Sequence, residues 1–428
     1  MRAYRGTVLH CVDDPGEQSD PSAWECFEDG LLIVDGGRIA RVGDAEPLLA
    51  EAGSDVDVVD YRGKLIVPGF IDCHVHFSQL DIIGSFGEQL LDWLNRYAFP
   101  EEAKFADPGH AREVAEVFVE ELLRNGTTSA LVFGTVHAHS ADAIFEVAAA
   151  KNMRLIAGKV LMDTHCPEKL RDDPASAYAD SKALIEKWHG RGRLGYAITP
   201  RFALTSSGEQ LAAAGRLADE YPDVWVHTHL AENMEEVREI ARLFPDSRSY
   251  LDVYDRFGLL RERSVFAHCL HMDAIDRGTM AAKQGAAAFC PTSNLFLGSG
   301  LFDLPRMREA GIHCGLGTDV GGGTSLSLLR TASEAYKVLH LQEHALPAMR
   351  ALYLATLGAA EALDLDAYIG NFAAGKEADF VVLDYEGSAL TARRTAAAGS
   401  IEEKLFALMT LADDRNVAAT YVLGRRAG

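Results

Sequence analysis

Ile71-Asp72-Cys73-His74-Val75-His76-Phe77 alternates apolar and polar residues over seven positions, the period of a β-strand. Residues two apart on a strand point to the same side, so His74 and His76 share a face. Seven more short apolar runs follow it: Ser129–Phe133, Leu155–Leu161, Gly195–Ile198, Val224–His229, Val265–His268, Ala286–Phe289 and His313–Thr318. Their composition suits strands buried on both faces. Amphipathic segments lie between them. In His110–Arg124, Val114, Val117, Phe118, Glu121 and Leu122 fit a helical period, and Asn125-Gly126 supplies a stop. Eight strands alternating with helices over about 300 residues predict an α/β chain built as a (β/α)8 TIM-like barrel. No GxGxxG follows the first strand, so a doubly wound dinucleotide fold has no local support.

Outside this region the first stretch reads as β. Gly30–Val42 reads as a hairpin around Asp35-Gly36-Gly37, and Asp57–Asp60 and Leu65–Val67 continue the pattern. The far end is β-like again at Asp379–Asp384 and Ala418–Leu423. The two ends are expected to form one small β-sandwich domain, from residues 1–66 and 369–428, around a barrel of residues 67–368.

Composition narrows the function. The 428 residues carry 41 Lys and Arg against 63 Asp and Glu, a formal charge of −22. A polyanion would be repelled, and no basic cluster offsets this, so nucleic acid is excluded as a partner. No apolar run reaches the roughly 18–20 residues of a membrane span, and the N-terminus does not read as a secretory signal. Seven cysteines form no CxxC pair; thiols in a reducing cytoplasm are the economical reading.

The strand ends carry the chemistry. The first holds Asp72-Cys73-His74-Val75-His76, the fifth His227-Thr228-His229-Leu230-Ala231-Glu232, the sixth Ala267-His268, the eighth Gly315-Leu316-Gly317-Thr318-Asp319. Active sites of such barrels are built at the C-terminal ends of strands. Imidazoles and a carboxylate converging there are hard to maintain as uncoordinated core, because buried unpaired charge is costly. They suit a divalent metal.

Pro68-Gly69-Phe70-Ile71-Asp72 before the HxH, followed by HTHLAE, AHC and GLGTD, resembles the amidohydrolase superfamily, as does the C-terminal Ile369–Asp379. Leu90–Glu101, Thr199-Pro200-Arg201-Phe202-Ala203 and His76-Phe77-Ser78-Gln79 are similar to guanine deaminases. The resemblance implies one Zn²⁺ per chain on His74, His76, His229 and Asp319, with Fe²⁺ also suited to the donors. Tyr196–Arg201 lacks the lysine expected of a binuclear relative. His227, lacking the family's spacing to Glu232, reads as structural. A cytoplasmic homodimer is the family-based expectation.

The implied reaction is hydrolysis of guanine to xanthine and ammonia. Glu232 would shuttle protons, Asp319 would take the water's proton, and His268 would stabilise the tetrahedral alkoxide. Gln79 and Arg201 would read the purine edge, with Arg201 suited to O6, while Phe202 and Trp93 pack on its face. Phe77–Phe105 is a candidate lid. Three alternatives stay open at this level: an oxidised purine, pterin or triazine as substrate; a non-enzymatic scaffold; and Lys159 as a further ligand rather than a salt-bridged barrel residue. Cys73 reads as packing in the barrel wall.

Overall fold

The computed structural model describes residues 1–52, 56–87 and 89–428; Glu88, within the expected lid, lies outside the described residues. All eight expected barrel strands are present, at Phe70–His76, Thr127–Phe133, Arg154–Gly158 with its continuation Val160–Leu161, Leu194–Pro200, Trp225–Leu230, Ser264–His268, Ala286–Phe289 and Cys314–Leu316. They follow one another round the sheet in chain order. The registers between the third and eighth strands are parallel. Past the end of the eighth strand, the Asp319 N–H donates to the His74 carbonyl and the His76 N–H to the Val320 carbonyl. Every residue of the first, second and fourth strands is buried, including Asp72, His74 and His76 of the first.

Helix Pro108–Arg124 occupies the expected segment and ends before Gly126, whose φ of +83° is the left-handed conformation of a helix stop. Its buried stripe runs through Val114, Phe118 and Leu122, but Val117 is 47% exposed. The expected period therefore held for three apolar positions. The fourth falls on the neighbouring solvent face, where Ala115 and Val119 replace it inside.

The two chain ends form a seven-stranded sheet. Trp24–Asp35 and Arg38–Asp44 pair antiparallel across Gly36 and Gly37, both at positive φ, as the hairpin signal requires. Phe380–Asp384 joins Asp57–Pro68 on one side and Val417–Val422 on the other. In its core Phe380 stacks on Tyr421 and Tyr4 meets both edge-on, with ring centroids 4.4–4.9 Å apart. Two compact units result: Met1–Asp72 with Glu120–Ser129 and Leu326–Gly428, and Cys73–Val119 with Ala130–Ser325. The second contains every side chain of the site described below.

All seven cysteines are free thiols, and Cys73 is buried on the first strand. Among the described residues, no helix is long and apolar enough to cross a membrane.

Candidate active site

Strand pairing brings the histidines together before any side chain is considered. Leu230 of the fifth strand pairs with His268 of the sixth, one position beyond the His229–Ala267 pair. Beyond the eighth strand the chain passes so close to the first that a Cβ on Gly317 would lie 3.0 Å from the Cβ of His74. A side chain there would press on the first strand, and the close approach that glycine allows delivers Asp319 to the histidines. Asp319 and His268 sit at φ of +50° and +74°. For His268, a non-glycine residue, this is backbone strain of about 1–3 kcal/mol held by its surroundings.

The donor atoms meet at one point. The Nε2 atoms of His74 and His76 are 3.2 Å apart, as are those of His76 and His229. Asp319 Oδ1 lies 3.2 Å from His74 Nε2 and 3.4 Å from His76 Nε2. Tetrahedral ligands at bond lengths of about 2.0–2.1 Å stand about 3.3 Å from one another, so these separations match the edges of a coordination tetrahedron. The four residues fit a divalent cation. The outer nitrogens are held too: His74 Nδ1 bonds His227 Nε2 at 2.7 Å, and His229 Nδ1 donates to the Arg201 carbonyl at 2.6 Å. Such bonds set ring orientation and tautomer. His227 thus touches a candidate ligand from behind.

Burial sets the protonation states. It pushes His76 down to about 4 and His229 well below its ordinary value, assisted by neighbouring imidazoles. Both are neutral at pH 7, as ligands must be. Burial works to raise Asp319, but its electrostatic interaction and hydrogen bonding with His74, and its hydrogen bonding with His76, hold it well below the usual carboxylate range. Burial raises Glu232 well above that range, with Asp319 and Glu236 adding negative charge nearby. Glu232 is therefore a carboxyl able to hold a proton at neutral pH. Ser299 donates to its Oε1 at 3.0 Å, and its Oε2 lies 3.4 Å from His268 Nε2. Burial keeps His268 neutral, near 3. The Asn294 amide donates to His268 Nδ1 at 2.8 Å, which leaves the ring proton on Nε2, facing Glu232 and Asp319.

A cleft opens on this cluster. Gln79, Trp93, Arg201 and Phe202 all line it, beside His76, His229, Glu232, His268 and Asp319. The expected lid carries short helical turns at Phe77–Ile82 and from Leu90 to Ala106, which supply Gln79, Leu90, Trp93 and Leu94 to the wall. The Trp93 indole N–H is buried without a protein acceptor.

Glu102, unremarked in the sequence, organises the substrate-facing corner. It is fully buried, and its two oxygens each accept from Arg201 Nη1 at 2.7 Å. Gln79 also donates to it, at 2.9 Å, while the Gly321 N–H donates to the Gln79 carbonyl oxygen at 3.1 Å. The Gln79 amide nitrogen also lies 3.4 Å from His76 Nδ1, so the amide, read from sequence as open to a purine edge, spends two donor contacts and one acceptor bond on the protein. Asn294, Ser299 and Glu236 were likewise missed. Of these only Glu236 had a local signal, a capping box with Asn233. Lys159 is buried and ion-paired to Asp172, away from the four convergent donors, as its salt-bridged reading requires.

Residues 65–427 match the amidohydrolase family. This chain belongs to that family. Three amidohydrolases illustrate the likeness. Guanine deaminase of Escherichia coli (strain K12) is 50% identical over 428 residues, 99% of this chain and 97% of that protein. Its solved structure matches with a TM-score of 0.97, covering 100% of this chain and 99% of that one. A probable guanine deaminase of Deinococcus radiodurans is 44% identical, over 99% of this chain and 98% of its own. A guanine deaminase from C. acetobutylicum, solved with guanine bound in the active site, is 28% identical with a TM-score of 0.91, each chain covered to 99%.

Proposed function

We propose that this amidohydrolase hydrolyses guanine to xanthine and ammonia, with one zinc ion at His74, His76, His229 and Asp319. The observation that carries the reading is the cleft itself. It joins a four-donor cluster to a buried guanidinium whose Nη1 is engaged by Glu102, leaving its other N–H groups for a substrate acceptor. A divalent ion at such ligands supplies Lewis acidity and a water activated at neutral pH.

The chain's own groups account for the proton movements. Water adds its oxygen to C2, the amidine-like carbon. Asp319, held ionised, takes the water's proton. Glu232, protonated in its buried setting, gives a proton to ring N3; as the C–N bond breaks, the proton held by Asp319 passes to the exocyclic amine, which departs as ammonia, while the remaining hydroxyl proton returns to Glu232 and leaves the C2 carbonyl. His268 Nε2–H donates to the oxygen as negative charge builds on it. Arg201 faces the O6 acceptor; adenine presents N–H groups in that place and leaves the guanidinium unpaired. Phe202 and Trp93 flank the ring, and the unpartnered indole N–H offers one more donor. A cytoplasmic location and a homodimeric state complete the reading on family grounds.

Ammonia release from guanine, adenine, a pterin and an aminotriazine, by wild type and Arg201→Ala, tests the substrate. Guanine is expected to be preferred by wild type and to lose most in the variant. Faster turnover of another ring would overturn the choice of guanine, and inertness toward all four would favour a binding scaffold.

A further inference from the structure

We propose a second divalent-cation site, separate from the catalytic cluster, formed by Asp81, Glu101 and His110. One ligand atom from each lies within 4.8 Å of the other two. Asp81 follows the first barrel strand, in the turn Phe77–Ile82. Glu101 lies on Phe99–Glu102, and His110 opens the helix Pro108–Arg124.

Two atoms at the centre of this group lack hydrogen-bond partners. Glu101 Oε1 and His110 Nε2 are both buried and unsatisfied, and they stand 3.8 Å apart. That is too long for a hydrogen bond and about half an ångström longer than the edge of a coordination tetrahedron, so an ion between them would draw the two side chains together. The Glu101 side chain is only 6% exposed, so water does not readily satisfy its oxygen. Its other oxygen, Oε2, accepts from Lys104 Nζ at 2.6 Å, which leaves Oε1 to face the imidazole. The Phe105 ring packs edge-on against His110, with centroids 4.8 Å apart, and fixes the imidazole plane. Asp81, exposed at the surface, completes the group and gives an entering ion access from solvent.

One imidazole and two carboxylates suit a first-row divalent ion such as Zn²⁺, with water filling the remaining positions. The three residues come from the segments that build the substrate-facing corner. Asp81 is two residues from Gln79, and Glu101 adjoins Glu102. An ion there would tie together the two segments that the Gln79–Glu102 hydrogen bond already joins, and so stiffen the wall of the cleft.

Zinc counting separates this site from the catalytic one. Apo-protein is dialysed against micromolar Zn²⁺, and bound zinc per chain is measured by atomic absorption. Wild type is expected to hold two equivalents, Asp81→Asn and His110→Asn one each, and His74→Ala one. The exposed position of Asp81 makes its variant safe for folding. Zinc should also raise the melting temperature more in wild type than in Asp81→Asn. A single equivalent in wild type, lost in His74→Ala, would overturn the second site and leave the catalytic one standing. Equal counts in wild type, Asp81→Asn and His110→Asn would also overturn it.

Discussion

The metal-facing and substrate-facing halves of the cleft are built differently. His74, His76, His229 and His268 sit on barrel strands, and Asp319 lies just past the eighth. The hydrogen-bonded ladder of the sheet positions their backbones. Gln79, Trp93 and Glu102 come from short helical turns after the first strand, and Arg201 from the residue after the fourth. Here buried side-chain bonds to Glu102 hold the Gln79 and Arg201 side chains, although the Arg201 backbone is itself tied to Leu161 and His229. The first half should therefore respond to substitution by losing chemistry, the second by losing recognition.

The largest effect is expected at the ligands. His229→Ala or Asp319→Asn should lose the catalytic zinc and at least about 10³-fold in turnover, since both the activated water and its charge stabilisation go. Metal content and xanthine formation measured on one sample check this, and a metal-free variant with wild-type activity would remove the catalytic role of the cluster. Glu232→Gln comes next, with zinc retained and kcat lowered by about 10²–10⁴-fold. An unchanged kcat would return this carboxyl to a structural role.

Glu102→Gln tests the other half. Its loss of charge should free the Arg201 and Gln79 side chains and raise KM for guanine roughly tenfold to hundredfold, with a smaller change in kcat. A fall in kcat at constant KM would place Glu102 with the chemistry instead and break the contrast. The smallest effect is expected from Glu236→Gln. Burial raises the Glu236 carboxyl to about 7, and its charge is one of the influences, after burial and Asp319, that keep Glu232 protonated. Removing that charge lets Glu232 give up its proton at lower pH. The alkaline limb of kcat should then move to lower pH by less than about one unit; a shift to higher pH would contradict the coupling.

The same contrast explains what could be read before the structure. Period-two alternation made the first strand visible, and apolar runs bounded by helical segments marked the other seven. Strand ends then located His74, His76, His229 and Asp319. Glu102 was hidden because its meaning lies in a bond to Arg201, 99 residues away, and nothing local distinguishes a buried glutamate from a solvated one. Asn294 and Ser299 were hidden for the same reason: each acts through a long-range bond, to His268 and to Glu232. Val117 shows the limit of periodicity on a helix. Consecutive residues on a helix differ by about 100°, so a residue one step from the buried face reaches solvent.

The central claim is that these donors hold an ion on which guanine deamination depends. Guanine-to-xanthine conversion should be followed by absorbance in chelated protein and again after zinc is restored. The account predicts no turnover in the chelated sample and recovery with zinc. Full xanthine production by protein shown to be metal-free would contradict it.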